Sequence, residues 1–209
     1  MFIERAQQQV EPIIIKIDNL LDLGNKLLEH GVDWYLWGKE GTTKNLMALY
    51  KELKRGESVL YEDSDKKLKR KVTKVAIDVI HRDNEGNQYR LYEEFLEKDG
   101  WFKRGGDGHL KRGVQEKALP GEDPFATVFR GLKEEMKIKR KKLKGPDLEG
   151  LIYLSSSPEE RESRGFPGLR TVYSYHDFIF ELPERFYKPE GYIVKESGFK
   201  TRLVWEKIV

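Results

Sequence analysis

The stretch that decides the fold is EKALPGEDPFATVFRGLKEEMKI, residues 116–138. It begins with a loop ending at Asp123, a residue type that caps helices, and Pro124 follows at the favoured first helical position. Apolar residues then recur at intervals of three and four, which predicts an amphipathic helix with one buried face. The members of that face are Phe125, Val128, Phe129, Leu132 and Met136.

The opposite face of this predicted helix is charged. It carries Arg130, Glu134 and Glu135, because residues three and four apart share a helix face. Adjacent carboxylates repel each other unless a cation or a proton lies between them, and oxygen-rich clusters suit Mg²⁺ or Mn²⁺. Arg130 could orient Glu134 or offset its charge. The residues alone indicate either a divalent-cation site or an ordinary helix with a solvated glutamate pair.

The same segment resembles the Nudix box, G-x5-E-x7-R-E-U-x-E-E-x-G-U, in which U is an apolar residue. Glu122 matches the first glutamate, and Arg130 matches the arginine that follows after a gap of seven residues. Glu134 and Glu135 match the paired glutamates, and both apolar positions are kept. The resemblance extends over residues 72–209 and implies an α/β fold, the αβα sandwich with a mixed sheet.

The resemblance also implies an activity. Members of the family hydrolyse a pyrophosphate bond in a nucleoside diphosphate-linked substrate with the help of Mg²⁺ or Mn²⁺. Carried over to the matching positions, Glu134, Glu135 and Glu122 are the expected metal ligands, and Arg130 is an orienting group. Many members are homodimers, so a dimer is an open expectation.

Three positions depart from the box: Glu116 and Lys137 replace its glycines, and Gly131 replaces the glutamate that follows the arginine. That glutamate contributes to the metal and water site in the family. Our hypothesis is that Glu116 returns a carboxylate to the site and so belongs to the catalytic set. The alternative is a catalytically impaired Nudix-fold protein that binds a nucleotide or acts as a scaffold.

The periodicity predicts the organisation of the rest of the chain. Helical spacing over residues 12–30 and 44–55, the latter capped by Thr42 or Thr43, predicts a small helical N-terminal region over residues 1–60. Residues 61–71 form a charged link, and residues 72–209 form the Nudix-like domain. Within that domain, residue patterns predict strands at 72–80, 88–96, 151–155, 171–182 and 201–209, with a polar loop at 155–168.

Charged residues outside the box add candidate ligands for a substrate. Lys103, Arg104 and Arg112 flank a glycine-rich turn, and such turns with nearby cations can hold phosphate. A plain exposed loop is the other interpretation. Additional carboxylates that could join the site are Glu93, Glu94, Glu159, Glu160 and Glu162, each of which is also an ordinary surface residue type. Phe166, Pro167, Tyr173 and Tyr175 could offer a surface on which a base stacks, although aromatic residues in strands more often belong to the core.

A basic run at residues 137–144 follows the marked helix, with six cations in eight positions. It could bind RNA or another polyanion, or be a solvated helix end in which cations suit the dipole. We favour the second interpretation, which leaves RNA a weakly supported partner.

The composition excludes several classes of protein. The chain has 209 residues and no cysteine, which excludes disulfides and cysteine-ligated metal centres. Charged residues make up 36% but nearly cancel, leaving a net charge of +3. No apolar run approaches the length of a signal peptide or membrane span, so we expect no membrane association and a cytoplasmic or similar soluble compartment.

Overall fold

The computed structural model describes residues 12–39, 44–98, 101–104, 111–196 and 199–208, without the side chains of residues 95–98, 101–104, 111–112, 196 and 199. The chain divides into two compact units. The first comprises the described residues up to Val72 together with 158–174, and the second comprises 73–157 and 175–208. No helix in the described part of the chain is long and apolar enough to cross a membrane.

Two short helices and the beginning of a sheet form the first unit. Strand β1 (Ile13–Ile14) precedes helix α1 (Leu20–Glu29), and α2 (Leu46–Lys54) precedes β2 (Val59–Glu62) and β3 (Leu68–Arg82). The prediction of one helix over residues 12–30 is therefore wrong for its first part. The isoleucines there are β-branched and pair with β2. The helix begins only after its N-cap residue, Asn19.

The cap of α2 also differs from the prediction. The Asn45 side chain accepts a hydrogen bond from the Ala48 N–H at 3.0 Å, whereas Thr42 and Thr43 lie outside the described residues. Residues 61–71, predicted as a charged link, contain the end of β2 and the beginning of β3. The buried apolar core of this unit consists of Leu23, Leu27, Val32, Trp37, Leu46, Leu49, Leu60, Leu68, Phe166 and Leu169.

The second unit contains the marked helix and most of the strands. Its further elements are β4 (Gln88–Lys98), β5 (Trp101–Arg104), β6 (Lys111–Arg112), β7 (Val114–Lys117), α3 (Pro124–Met136), α4 (Gly145–Glu149), β8 (Leu151–Ser163), β9 (Phe166–Glu181), β10 (Tyr192–Glu196) and β11 (Phe199–Lys207). The first residues of β8 and the last residues of β9 belong to this unit, and the other residues of both strands belong to the first unit.

Strand pairing brings β7 and β4 to the same central strand. β3 pairs antiparallel with β7 and with β4, and β9 also pairs with β3. β4 pairs antiparallel with β5, β6 and β11, and β11 pairs with β10. The described chain thus confirms the predicted α/β fold, a sheet accompanied by several helices.

One predicted loop is a strand pair instead. Residues 155–168 were expected to form a polar loop, yet β8 continues to Ser163 and β9 begins at Phe166. Residues 152–160 of β8 are exposed, and charged side chains can line a strand whose faces meet solvent. Residues 155–163 are polar or proline throughout, so they lack the alternating apolar residues by which a half-buried strand is recognised. Phe166 is fully buried and Tyr173 is 5% exposed, which confirms the interpretation of these two rings as core residues over that of a stacking surface.

Candidate active site

Helix α3 begins where the sequence predicts, but its predicted buried face is confirmed only in part, because Phe125 is 43% exposed and Phe129 is half-buried. The Asp123 carboxylate accepts hydrogen bonds from the N–H groups of Phe125 (2.9 Å) and Ala126 (3.3 Å), which satisfies the open donors of the first turn. Val128, Leu132 and Met136 are buried in the core of the second unit. Burial of these side chains fixes the rotation of α3 about its axis.

Arg130 is the centre of the network that this rotation creates. Its Nε and Nη2 each donate to the Glu122 carboxylate at 3.1 Å, a forked arrangement that fixes both groups. Its Nη1 donates to Glu116 Oε2 at 2.8 Å, and its Nη2 donates to the Lys117 carbonyl at 2.6 Å. One guanidinium therefore joins α3, the loop before it and strand β7.

The electrostatics of Glu122 follow from these contacts. Burial alone would raise the pKa of its carboxyl, but hydrogen bonds from Arg130 and the Leu119 N–H outweigh burial and hold the pKa below its usual range. In turn, the hydrogen bond to Glu122 and the nearby Glu116 raise the pKa of Arg130 above its usual range. The pair is therefore fully charged at neutral pH.

Gly131 lies in close contact with Glu116. A Cβ atom built on Gly131 would lie 2.8 Å from the Cγ of Glu116 and 2.8 Å from a methyl group of Val114. Real Cβ atoms do not approach other carbons so closely. The Glu116 side chain thus occupies the space beside the helix position at which the family carries its glutamate.

A cleft of about 240 Å³ lies beside this contact. Its charged lining combines Glu135 from α3, Glu116 and Lys117 from β7, Lys74 from β3 and Glu93 from β4, together with Gln115. The two lysines of the lining, Lys74 and Lys117, lie side by side on one face of the sheet, because they are partners in the β3–β7 register. The cleft therefore offers carboxylate oxygens and ammonium groups within one small volume.

The structure separates the expected metal ligands into two places. Glu135 lines the cleft with Glu116. Glu122 is engaged by Arg130, and the Glu134 carboxylate, 42% exposed, lies 3.8 Å from Arg130 Nη1. In the described part of the chain, no three His, Cys, Asp or Glu side chains gather closely enough to hold a metal ion by themselves.

Of the additional carboxylates, Glu93 lines the cleft, while Glu94 pairs with Arg202 at 3.2 Å and Glu160 pairs with Lys69 at 2.9 Å in the first unit. Strands β5 and β6 carry Lys103, Arg104 and Arg112, but the side chains of these predicted substrate ligands lie outside the described residues.

Sequence reasoning missed Lys74, Gln115 and Lys117 as members of the cleft. Lys117 follows Glu116 directly, so its neighbourhood to the box was visible in the sequence. The approach of Lys74 depends on the β3–β7 register, which no local pattern reveals. Lys74 Nζ also lies 5.7 Å from the centre of the Tyr175 ring, which places this aromatic beside a residue of the cleft.

The chain matches no protein-family model and no curated protein sequence. Among solved structures it is similar to a C. elegans Ap4A hydrolase in a binary complex, with 16% identity and a TM-score of 0.34 over 65% of this chain and 80% of that one. It is also similar to a MutT/nudix family protein from Enterococcus faecalis (13% identity, TM-score 0.40, 65% and 43% covered). A third is a Nudix hydrolase from M. smegmatis, RenU (12% identity, TM-score 0.32, 65% and 70% covered). At these TM-scores the likeness concerns the α/β fold alone.

Proposed function

We propose that the chain is a Nudix-type hydrolase that cleaves a pyrophosphate bond in a nucleoside diphosphate-linked substrate with Mg²⁺ or Mn²⁺. The observation that carries this proposal is the contact between Glu116 and Gly131. The two positions at which the box is most altered touch each other, and a carboxylate gained at one accompanies a carboxylate lost at the other. Such a pair is expected when a site keeps its acid but draws it from another element.

The donors of the cleft suit the proposed metal. Glu116 and Glu135 supply carboxylate oxygens from opposite elements, and Glu93 adds a third carboxylate to the lining. Mg²⁺ is usually held by one or two carboxylates, several waters and the phosphates of the substrate, so a ready-made cage of three side chains is not required. When bound, such an ion supplies a water of lowered pKa and offsets the charge of a phosphate.

The remaining residues of the site have separate tasks in this proposal. Glu116 and Glu135 hold the ion, and Arg130 positions Glu116 through the 2.8 Å hydrogen bond. Glu122, expected as a ligand, instead fixes Arg130, because both of its oxygens accept from the guanidinium. Lys74 and Lys117 supply positive charge to the phosphates of a substrate in the same cleft.

The test exchanges the two altered residues. Glu116→Gly removes the proposed carboxylate. Adding Gly131→Glu in the same chain restores the family's arrangement, with Val114→Ala to remove the methyl group that would lie 2.8 Å from the new Cβ. We expect Glu116→Gly to lose the release of nucleotide or phosphate products from a panel of ADP-ribose, dinucleoside polyphosphates, NADH, sugar nucleotides and (d)NTPs. The variant that also carries Gly131→Glu and Val114→Ala should regain it. Full activity in Glu116→Gly, with the protein folded, would show that Glu116 supplies nothing to the reaction.

A nucleotide-binding protein without hydrolytic activity is the second candidate. The observation in its favour is that the Glu116 carboxylate is already paired with Arg130. Mn²⁺ titration of the wild-type chain separates the two candidates. A hydrolase binds the ion at millimolar concentration and loses it in Glu135→Gln. A binding protein retains nucleotide affinity with no metal and leaves the nucleotide uncleaved.

A further inference from the structure

The basic segment, residues Lys137–Lys144, concentrates the positive charge of the chain. It carries six cations and no acid, while the whole chain has a net charge of only +3, so all other residues together are net negative. No acidic residue occurs between Glu135 and Asp147. This asymmetry creates a local positive field on a molecule that is otherwise close to neutral.

The segment has a defined backbone and is not the end of α3. The helix ends at Met136, and the segment turns through a 3-10 helix at Arg140–Lys142. Two apolar residues anchor it, because Ile138 is 3% exposed and Leu143 is 6% exposed. The Lys142 N–H donates to the Lys139 carbonyl at 2.8 Å, which closes the turn. The buried anchors leave the cations on the solvent side.

The dipole of α3 does not account for these cations. Lys137 alone reaches a carbonyl of the last turn, donating from Nζ to Glu134 O at 2.6 Å, and the influence of the dipole ends within that turn. Arg140 lies over the Phe129 ring at 4.8 Å. The other cations are exposed, and among the described residues none of them forms an ion pair: Lys139, Lys141, Lys142 and Lys144.

We propose that the basic segment binds the phosphate backbone of a nucleic acid, without reading its sequence. Four exposed lysines on a fixed turn match the repeated charges of a phosphodiester chain, and phosphate contacts of this kind supply affinity but no base recognition. A lipid surface fits less well, because both apolar residues of the segment are buried and none is left to enter a bilayer. The inference is independent of the hydrolase proposal.

The experiment measures fluorescence anisotropy of labelled single-stranded RNA and duplex DNA with the full chain at several salt concentrations. One variant combines Lys139→Gln, Lys141→Gln, Lys142→Gln and Lys144→Gln. The matched control removes the same charge elsewhere, through Lys16→Gln, Lys51→Gln, Lys71→Gln and Lys195→Gln, all of which are exposed. Circular dichroism establishes that both variants are folded.

We expect the segment variant to lose at least tenfold in affinity at low salt, while the control keeps its affinity within a few fold. The slope of log K against log salt should fall by roughly 0.7 to 0.9 for each phosphate contact removed. An equal loss in both variants would assign the binding to net charge and overturn the proposal. So would no binding by the wild type at about 50 mM salt, or binding only to vesicles containing phosphatidylserine.

Discussion

The side chain of Glu116 on β7 fills the space beside Gly131 on α3, with its Cγ 2.8 Å from the place of a Cβ at position 131. Glycine in a helix costs roughly 1 kcal/mol of stability relative to alanine. Glycine is nevertheless required at position 131, because the Glu116 side chain leaves no room there for a Cβ. Arg130, which directly precedes Gly131, donates from Nη1 to Oε2 of the same Glu116 at 2.8 Å. Glu116 and Gly131 are two of the three positions at which the sequence departs from the motif it resembles, and they form one structural unit.

Gly131→Ala should destabilise the protein although alanine is the better helix former. The new methyl group would overlap Glu116 Cγ and a Val114 methyl, and overpacking of this kind costs roughly 1–3 kcal/mol. Urea unfolding followed by circular dichroism measures the change in the free energy of unfolding.

Gly145→Ala is the matched control, because a Cβ at this helical glycine would meet no atom within 4 Å. We expect its free energy of unfolding to stay within about 0.5 kcal/mol of wild type. A Gly131→Ala protein as stable as wild type would contradict the close contact.

The stability contributed by Glu122 should depend on pH in a defined direction. The Arg130 hydrogen bonds, acting against burial, hold the pKa of Glu122 below its usual value. A depressed pKa in the folded state stabilises the protein above the unfolded-state pKa of about 4.3, and this contribution disappears as the pH falls through the folded value. Wild type should therefore exceed Glu122→Gln in stability at neutral pH, and the gap should close on acidification.

Urea midpoints of both proteins at several pH values between neutral and strongly acid test this expectation. In an Arg130→Gln background, the effect of Glu122→Gln should lose most of its dependence on pH. If the difference in stability between wild type and Glu122→Gln stays constant throughout the acid range, the Arg130–Glu122 contact does not lower the pKa of the Glu122 carboxyl.

The paired glutamates of the helix should contribute unequally to hydrolysis. Glu135 lines the cleft with Glu116, whereas the Glu134 side chain is 42% exposed and approaches Arg130. Under the proposed function, Glu135→Gln should lower kcat on the order of a hundredfold or more, and Glu134→Gln by less than about tenfold. Steady-state kinetics with Mg²⁺ measure both, and equal losses would place Glu134 at the metal as well.

The sequence predicted the site helix well because its signals are local. The cap at Asp123, the proline after it and the buried spacing of Val128 and Leu132 all act within a few turns of the chain. The first helix was placed too early because β-branched isoleucines can satisfy helical spacing while pairing as a strand. The prediction of a loop at 155–168 was wrong because an all-polar segment can be either a loop or a strand exposed to solvent.

The constellation of the site was less predictable, because it depends on strand register. Glu116 was singled out by its departure from the box, and it does lie beside Gly131. Lys74 escaped attention because it lies 43 positions before Lys117 in the chain and meets it only through the β3–β7 pairing. The motif gives the position of Glu122 but not its partner, and the structure shows that its carboxylate accepts hydrogen bonds from Arg130. Its role as a metal ligand stays a prediction.

In the first unit, His30 should stabilise the fold at low pH. Its hydrogen bond to the Lys26 carbonyl, with the contact to Glu62, raises its pKa above the usual value. A raised pKa gives stability that is complete below the unfolded-state value of about 6.5 and is lost as the pH rises through the folded value. Wild type should exceed His30→Gln more at about pH 5.5 than at about pH 8.5. Urea midpoints measure this, and a larger gap at the higher pH would contradict it.

Lys137→Gly should stabilise the protein. Lys137 ends α3 with φ 62° and ψ 23°, the left-handed conformation in which a side chain costs roughly 1 kcal/mol and which glycine adopts freely. The Nudix motif that the segment resembles has glycine at this position. This chain instead has a lysine whose backbone is strained. Lys137→Ala retains the strain and removes the charge, and it should leave the free energy of unfolding near that of wild type. If the alanine variant gains as much stability as the glycine variant, backbone strain at position 137 is not the cause. The gain would then come from removing the repulsion between Lys137 and the other cations of the basic segment.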